Sequence, residues 1–178
     1  MADRVVFSPT FEALVRALGP ALNDPGKARF KAAGVDFDAR LVAAYPLETW
    51  LASMEVGAEL LLPDGTREKQ FFNLGHRIVA SFGETMIGRA LVALMRVIGP
   101  RRALERMTRN LRAANNFTET SVRSIDDHHT EVTCSPVFSP DFFRGLFTGS
   151  VEISGGLEVK VDTVSIKDGT GVFSVQWK

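Results

Sequence analysis

The sequence predicts an α+β fold in which N-terminal helices pack on a small antiparallel sheet with ββαββ order at the C-terminal end. Three observations carry this expectation. Apolar side chains recur at helical spacing from Phe11 to Leu111, they alternate with polar ones after Asn116, and no repeat or low-complexity linker separates the two halves. Residues 1–178 are therefore expected to form one domain, with a helical part over about 8–114 and a ββαββ part over about 117–178 sharing one core. A chain of 178 residues, 45% hydrophobic and 24% charged, buries about 70% of the surface it exposes when unfolded, without disulfides or a structural metal.

Ser8-Pro9 supplies a capping serine and an early helical proline. Phe11, Leu14, Val15 and Leu18 then form one stripe, and Gly19-Pro20 ends the helix. Asn23-Asp24-Pro25-Gly26 is turn chemistry, followed by a short helix over 27–33 that Gly34 terminates. Another short helix is predicted over 38–44, stopping before Pro46 because the residue preceding proline is pushed out of helical geometry. Pro46 opens a helix whose Leu47, Trp50, Leu51, Met54 and Ala58 share a face, closed by Pro63-Asp64-Gly65. From Thr66 to Gly83 the apolar residues cover more than one face, which predicts deep burial. The segment opening at Gly83-Glu84-Thr85 has the strongest 3.6-residue pattern, from Met86 to Ile98, and is expected to be the central core helix. Gly99-Pro100 breaks it. Arginines then alternate with Leu104, Met107 and Leu111 on an amphipathic helix with a basic outer face, and Asn115-Asn116 marks its exit in left-handed geometry.

Strands are expected over 117–125 and 130–137 with a turn at Asp126-Asp127. Pro140 opens a helix with a Phe142, Phe143, Leu146, Phe147 stripe, and Gly145 and Gly149 offer close approach to another helix, within the domain or across a twofold dimer. Two terminal strands follow, joined around Asp168-Gly169-Thr170-Gly171.

Charge excludes some functions. The 21 basic and 21 acidic residues cancel, so no global positive field gathers nucleic acid or anionic membrane, and no nucleic-acid partner is expected. The densest apolar run, 90–95, is far below the roughly 20 residues of a transmembrane helix. The early acid at Asp3 argues against a signal peptide, and the single Cys134 fits a reducing cytoplasm. Strings that mark common enzyme classes are missing: no Gly-x-Ser-x-Gly elbow, no phosphate-binding loop ending Gly-Lys-Ser/Thr, no His-Glu-x-x-His. No catalytic residue and no cofactor is assigned.

Two resemblances arise from these residues. Gly88-Arg89-Ala90, Gly99-Pro100-Arg101-Arg102, Arg106-Met107, Arg109-Asn110 and Asn115-Asn116-Phe117-Thr118-Glu119 resemble the signature of a paralogous family restricted to myxobacteria and of uncharacterised function. With Tyr45-Pro46, Trp50 and Trp177, that likeness covers nearly the whole chain. The order of helices followed by ββαββ resembles the fold group of vinyl-4-reductase-type ligand-sensing domains, Bet3-like subunits of the vesicle-tethering TRAPP complex, and haem-based nitric oxide sensors. The segment from Phe143 to Gly149, then Gly156, Val159, Val161 and Phe173, carries it. The strands after Leu157 lack the cysteines of the vinyl-4-reductase type, so thiol or metal chemistry of that kind is not implied.

Candidate sites have plainer rivals. Asp126-Asp127-His128-His129 is metal-like in composition, but adjacent residues on an extended chain point to opposite sides, and a solvated hairpin turn accounts for it, so no metal site is assigned. His76 would ligate haem iron by the sensor resemblance, yet the Tyr-x-Ser-x-Arg motif of those sensors is missing and Tyr45 is the only tyrosine. Cys134 reads as a buried structural thiol. Between Arg96 and Arg123 seven arginines face only Glu105 and Glu119; Arg102, Arg106 and Arg109 can share a face and clamp an anion or an acidic partner, or simply be a solvated helix back. Thirteen phenylalanines and five methionines suggest a pocket for a small hydrophobic ligand, with Phe82, Met86, Met95, Phe138, Phe143 and Phe147 as its lining, or else a plain core.

The expectation that follows is a non-enzymatic sensory or regulatory module that holds a small apolar or amphipathic ligand between helices and sheet and works as a homodimer. Its rival is a protein-interaction scaffold or regulator, in the manner of TRAPP subunits acting on a small GTPase, without a small-molecule ligand.

Overall fold

The chain is described here by a computed structural model covering residues 3–84 and 86–178, with the backbone alone at Met86 and Ile87. The α+β class holds. In order, the elements are β1 (Val5–Phe7), α1 (Ser8–Leu18) with a 3-10 turn at Gly19–Ala21, α2 (Asp24–Ala32), β2 (Ala44–Pro46), α3 (Leu47–Leu61), α4 (Arg67–Phe82), α5 (Met86–Glu105) and α6 (Met107–Leu111). There follow β3 (Glu119–Asp126), β4 (His129–Ser135), α7 (Pro140–Ile153), β5 (Lys160–Lys167) and β6 (Thr170–Gln176). The last five elements keep the expected ββαββ order.

Local chemistry sets most of these boundaries. Asn23 caps α2 by accepting the Gly26 N–H at 3.0 Å, and Ser139 caps α7 by accepting the Phe142 N–H at 3.3 Å. Ser8 does not cap α1. Phe7 is the cap residue and makes no side-chain bond, because Ser8 is already helical and its N–H donates to the Ala43 carbonyl at 3.0 Å. That bond belongs to an arrangement the sequence reading missed, in which β1 and β2 pair antiparallel, Val6 opposite Tyr45. The helix expected over 38–44 is absent for the same reason. Its few apolar residues cannot form a stripe, and Tyr45 is drawn inward onto Phe11, ring centroids 4.5 Å apart, while its hydroxyl accepts the Val42 N–H at 3.2 Å.

The four-stranded sheet runs β3-β4-β6-β5, all antiparallel. Its register brings Val122, Val132 and Phe173 into one lateral row. The inward side of β4 and β6 carries Thr130, Val132, Cys134, Phe173 and Val175, all fully buried, while the edge strands β3 and β5 are mostly exposed.

Helix α7 lies between the sheet and α4. One face sends Phe147 onto Phe173 at 5.2 Å between centroids. The other crosses α4 at backbone contact: a Cβ on Gly145 would be driven into the Phe72 carbonyl oxygen, and one on Gly75 into that of Phe142. The partner for the α7 glycines is therefore α4 of the same chain. Buried residues from both halves form one continuous cluster, from Phe11 and Trp50 through Leu74 to Phe147 and Trp177.

Two expectations fail here. Helix α5 is not the central core helix: Met95 is buried, but Leu94 is 44% and Val97 85% exposed. Before the kink at Gly99 (φ 78°, ψ 171°) the inward side is the narrow stripe of Gly88, Leu91, Val92 and Met95, and beyond Pro100 Ala103 and Leu104 are buried. The predicted start of this helix at Thr85 lies outside the described residues. Asn115 and Asn116 are not left-handed, and their side chains do the work instead. Asn115 Oδ1 accepts the N–H groups of Phe117 and Thr118 at 3.0 and 2.7 Å, and Asn116 Oδ1 accepts that of Val5 at 2.9 Å.

Candidate ligand cavity

The α4–α7 crossing holds those helices together at one level, and away from it the neighbouring elements leave a cavity of about 130 Å³. Its wall is built from Val6 of β1, Ala13 of α1, Trp50 and Met54 of α3, Ile78 and Phe82 of α4, and Leu91 and Met95 of α5. Met107 and Leu111 of α6, Phe117, Phe138, and Phe142, Phe143 and Leu146 of α7 complete it. No strand of the four-stranded sheet contributes, so the expected position between helices and sheet is corrected: the cavity lies among helices, because α7 fills the space above the sheet with Phe147 and Val151.

Four of the six side chains predicted to line a pocket are brought together here: Phe82, Met95, Phe138 and Phe143. Phe147 is placed elsewhere, in the core against Phe173. The side chain of Met86 lies outside the described residues. Ile78, Asn110 and Thr118 also line the cavity, where sequence reasoning does not place them; Asn110 belongs by spacing to the face of Arg102, Arg106 and Arg109, and only its neighbourhood makes it wall.

Arg102, Arg106 and Arg109 are exposed and do not line the cavity. The helix expected to carry them is interrupted at Arg106 (φ −93°, ψ 4°). Arg101 pairs with Glu105 at 3.4 Å and Arg112 with Glu119 at 3.4 Å, whereas those three arginines have no ion-pair partner among the described residues.

The histidines are engaged outside the cavity. His76 Nε2 meets Glu152 Oε2 at 2.6 Å across the α4–α7 crossing, His129 Nε2 meets Ser174 Oγ at 2.9 Å, and His128 lies in the β3–β4 turn, where its N–H donates to Asp126 Oδ1 at 2.8 Å. Among the described residues no three His, Cys, Asp or Glu side chains converge on a metal position. Cys134 is fully buried, and desolvation pushes its thiol up to about 12, far from a reactive thiolate. Among the described residues no helix is long and apolar enough to cross a membrane.

Residues 4–178 match the protein family described as "Protein of unknown function (DUF2378)". No curated protein matches the chain. Several solved structures share its fold. An unliganded Fe(II) H-NOX protein mutant from K. algicida has a TM-score of 0.69 at 11% identity, over 97% of this chain and 96% of that one. An oxygen-binding H-NOX domain related to soluble guanylate cyclases gives 0.63 at 16% identity, over 96% of this chain and 92% of that one. A doubly substituted Tt H-NOX gives 0.64 at 16% identity, over 97% and 94% respectively. Of the three fold groups that the sequence resembles, these represent the haem-binding one.

That likeness implies a haem, and the residues present do not fit it. Haem iron is held by imidazole, thiolate or phenolate, or by a thioether paired with imidazole. Among the described residues the wall's candidate iron donors are thioethers, from Met54, Met95 and Met107, and none of those lining it is a lysine or arginine that could meet the two haem carboxylates. The volume is also wrong: an engineered cavity of about 150 Å³ takes a benzene, and a tetrapyrrole macrocycle is several times larger. The chain keeps the fold of those domains around a cavity of about 130 Å³.

Proposed function

Because the chain belongs to the DUF2378 family, whose function is unknown, its role must be read from its own cavity, and we propose that it is a haem-free ligand-sensing module that binds a small apolar molecule there. One observation carries the reading: the cavity sits where α4, α5, α6 and α7 meet, is apolar almost throughout, and among the described residues its wall has no imidazole, thiolate or phenolate for iron. Helix α5 contributes Leu91, Val92 and Met95 to the cavity while Leu94 and Val97 face outward, so an occupant touches an element that is also presented to partners. In this reading the module is non-enzymatic, works in the cytoplasm as a homodimer, and belongs to the myxobacterial family that its sequence resembles. The lone buried Cys134 suits a reducing compartment.

A second reading, a scaffold for an acidic protein, is favoured by Arg102, Arg106 and Arg109, which are exposed and without ion partners among the described residues.

Two titrations of the purified protein test the first reading. Saturating benzene at 100 times its dissociation constant should add about 2.7 kcal/mol to the unfolding free energy, read as a rise in midpoint temperature. Added haemin should give the spectrum of free haemin. A sharp six-coordinate haem band at one equivalent, or no benzene effect, contradicts the proposal.

A further inference from the structure

The polar atoms of the cavity wall are unevenly used. Thr10 donates its hydroxyl to the Ala114 carbonyl at 3.1 Å, and Ser150 donates to that of Leu146 at 2.8 Å. Where α6 passes into residues 112–118, other polar atoms of the wall are left unpaired. The carboxamide of Asn110 and the hydroxyl of Thr118 make no hydrogen bond among the described residues, although Thr118 is only 5% exposed. Asn115 Oδ1 is occupied by the N–H groups of Phe117 and Thr118, which fixes its amide orientation and leaves Nδ2 without an acceptor. Among the described residues the one sealed and unpartnered side-chain polar atom is Thr130 Oγ1, on the sheet. The Thr118 hydroxyl and the Asn110 carboxamide are not sealed in this way, and both residues line the cavity. Polar side chains that line a cavity without a protein partner are the groups an occupant can bond.

We propose that the occupant carries one uncharged hydrogen-bonding group, a hydroxyl or carbonyl, on an otherwise apolar ring or short chain, and that Asn110 and Thr118 read it. The carboxamide both donates and accepts, and the threonine hydroxyl does the same, so either kind of group is matched. A carboxylate or phosphate is refused, since no cation lines the cavity and burying an unpaired charge is prohibitive. This inference rests on the cavity reading above and narrows it to a ligand class.

Benzene, phenol and benzoate form the probe set for calorimetric titration of wild type, Asn110→Leu and Thr118→Val. Phenol should bind wild type about tenfold tighter than benzene, the worth of one buried hydrogen bond, and benzoate should not bind. Each substitution should remove the phenol advantage over benzene on the same variant, and a cooperative thermal transition of the unliganded variant shows that it is folded. Thr118→Val is nearly isosteric and carries the test if Asn110→Leu does not fold. Equal affinity for benzene and phenol, unmoved by either substitution, overturns the inference and leaves the cavity reading standing, as does preferential binding of benzoate. Failure of both benzene and phenol on wild type removes the cavity reading itself.

Discussion

The carboxamide of Asn115 ties the cavity to the rest of the chain, because the oxygen that organises the entry to β3 belongs to a residue that also lines the wall. An asparagine pair after a helix suggests left-handed backbone, but here the side chains compete successfully for backbone N–H groups. Nothing in the residue type of Asn110 or Thr118 marks it, since function at these positions comes from hydrogen bonds left unmade, which only the assembled fold reveals. Cys134 is the opposite case: a cysteine on an alternating strand is legible as buried, and its environment gives a pH signature. Burial raises the thiol from 9.0 to about 12, so the native state holds the proton over a range where the unfolded chain has lost it. The associated stability is complete below pH 9 and is lost as pH rises toward 12. In urea unfolding, the stability gap between wild type and Cys134→Ala should therefore shrink by about 2 kcal/mol between pH 8 and about pH 10.5. A constant gap would mean that the native thiol ionises freely.

At the scale of elements, the helix expected from its apolar spacing to be central and the helix that matters most for packing are different ones. Apolar periodicity measures how many greasy residues share a face; it does not measure whether another element reaches that face. Helix α5 covers the cavity with one stripe and leaves Val97 outside. The α4–α7 crossing depends on Gly75 and Gly145, and absent side chains register weakly in a hydrophobic pattern. Gly145 could be singled out by its spacing from Gly149, but Gly75 could not. The strands β1 and β2 span three residues each, too few for alternation to be read. The contrast is measurable by denaturant midpoints. Gly145→Ala should destabilise by about 3 kcal/mol or more, because the new methyl meets backbone on a neighbouring helix, whereas Val97→Lys should stay within about 0.5 kcal/mol. Similar losses for the two would place α5 in the core after all.

Across the whole molecule, the ββαββ order of the C-terminal part and the identity of the bulky residues follow from periodicity and turn chemistry, and so does most of the cavity's aromatic wall. The location of the cavity does not, because it depends on how far α7 stands from α5 and α6 once its glycines are pressed against α4. The same geometry separates the chain from the haem domains whose fold it shares. Among the described residues its cavity wall offers no imidazole, thiolate or phenolate and no cation for carboxylates, so the wall does not fit that cofactor while the architecture is kept. The most direct measurement is native mass spectrometry of the protein isolated from its own cells, before and after organic extraction. The account predicts a bound species of low mass, released by extraction and identified as an uncharged, mainly apolar compound with a hydroxyl or carbonyl. Recovery of bound haem, or of the bare chain in every preparation, would contradict it.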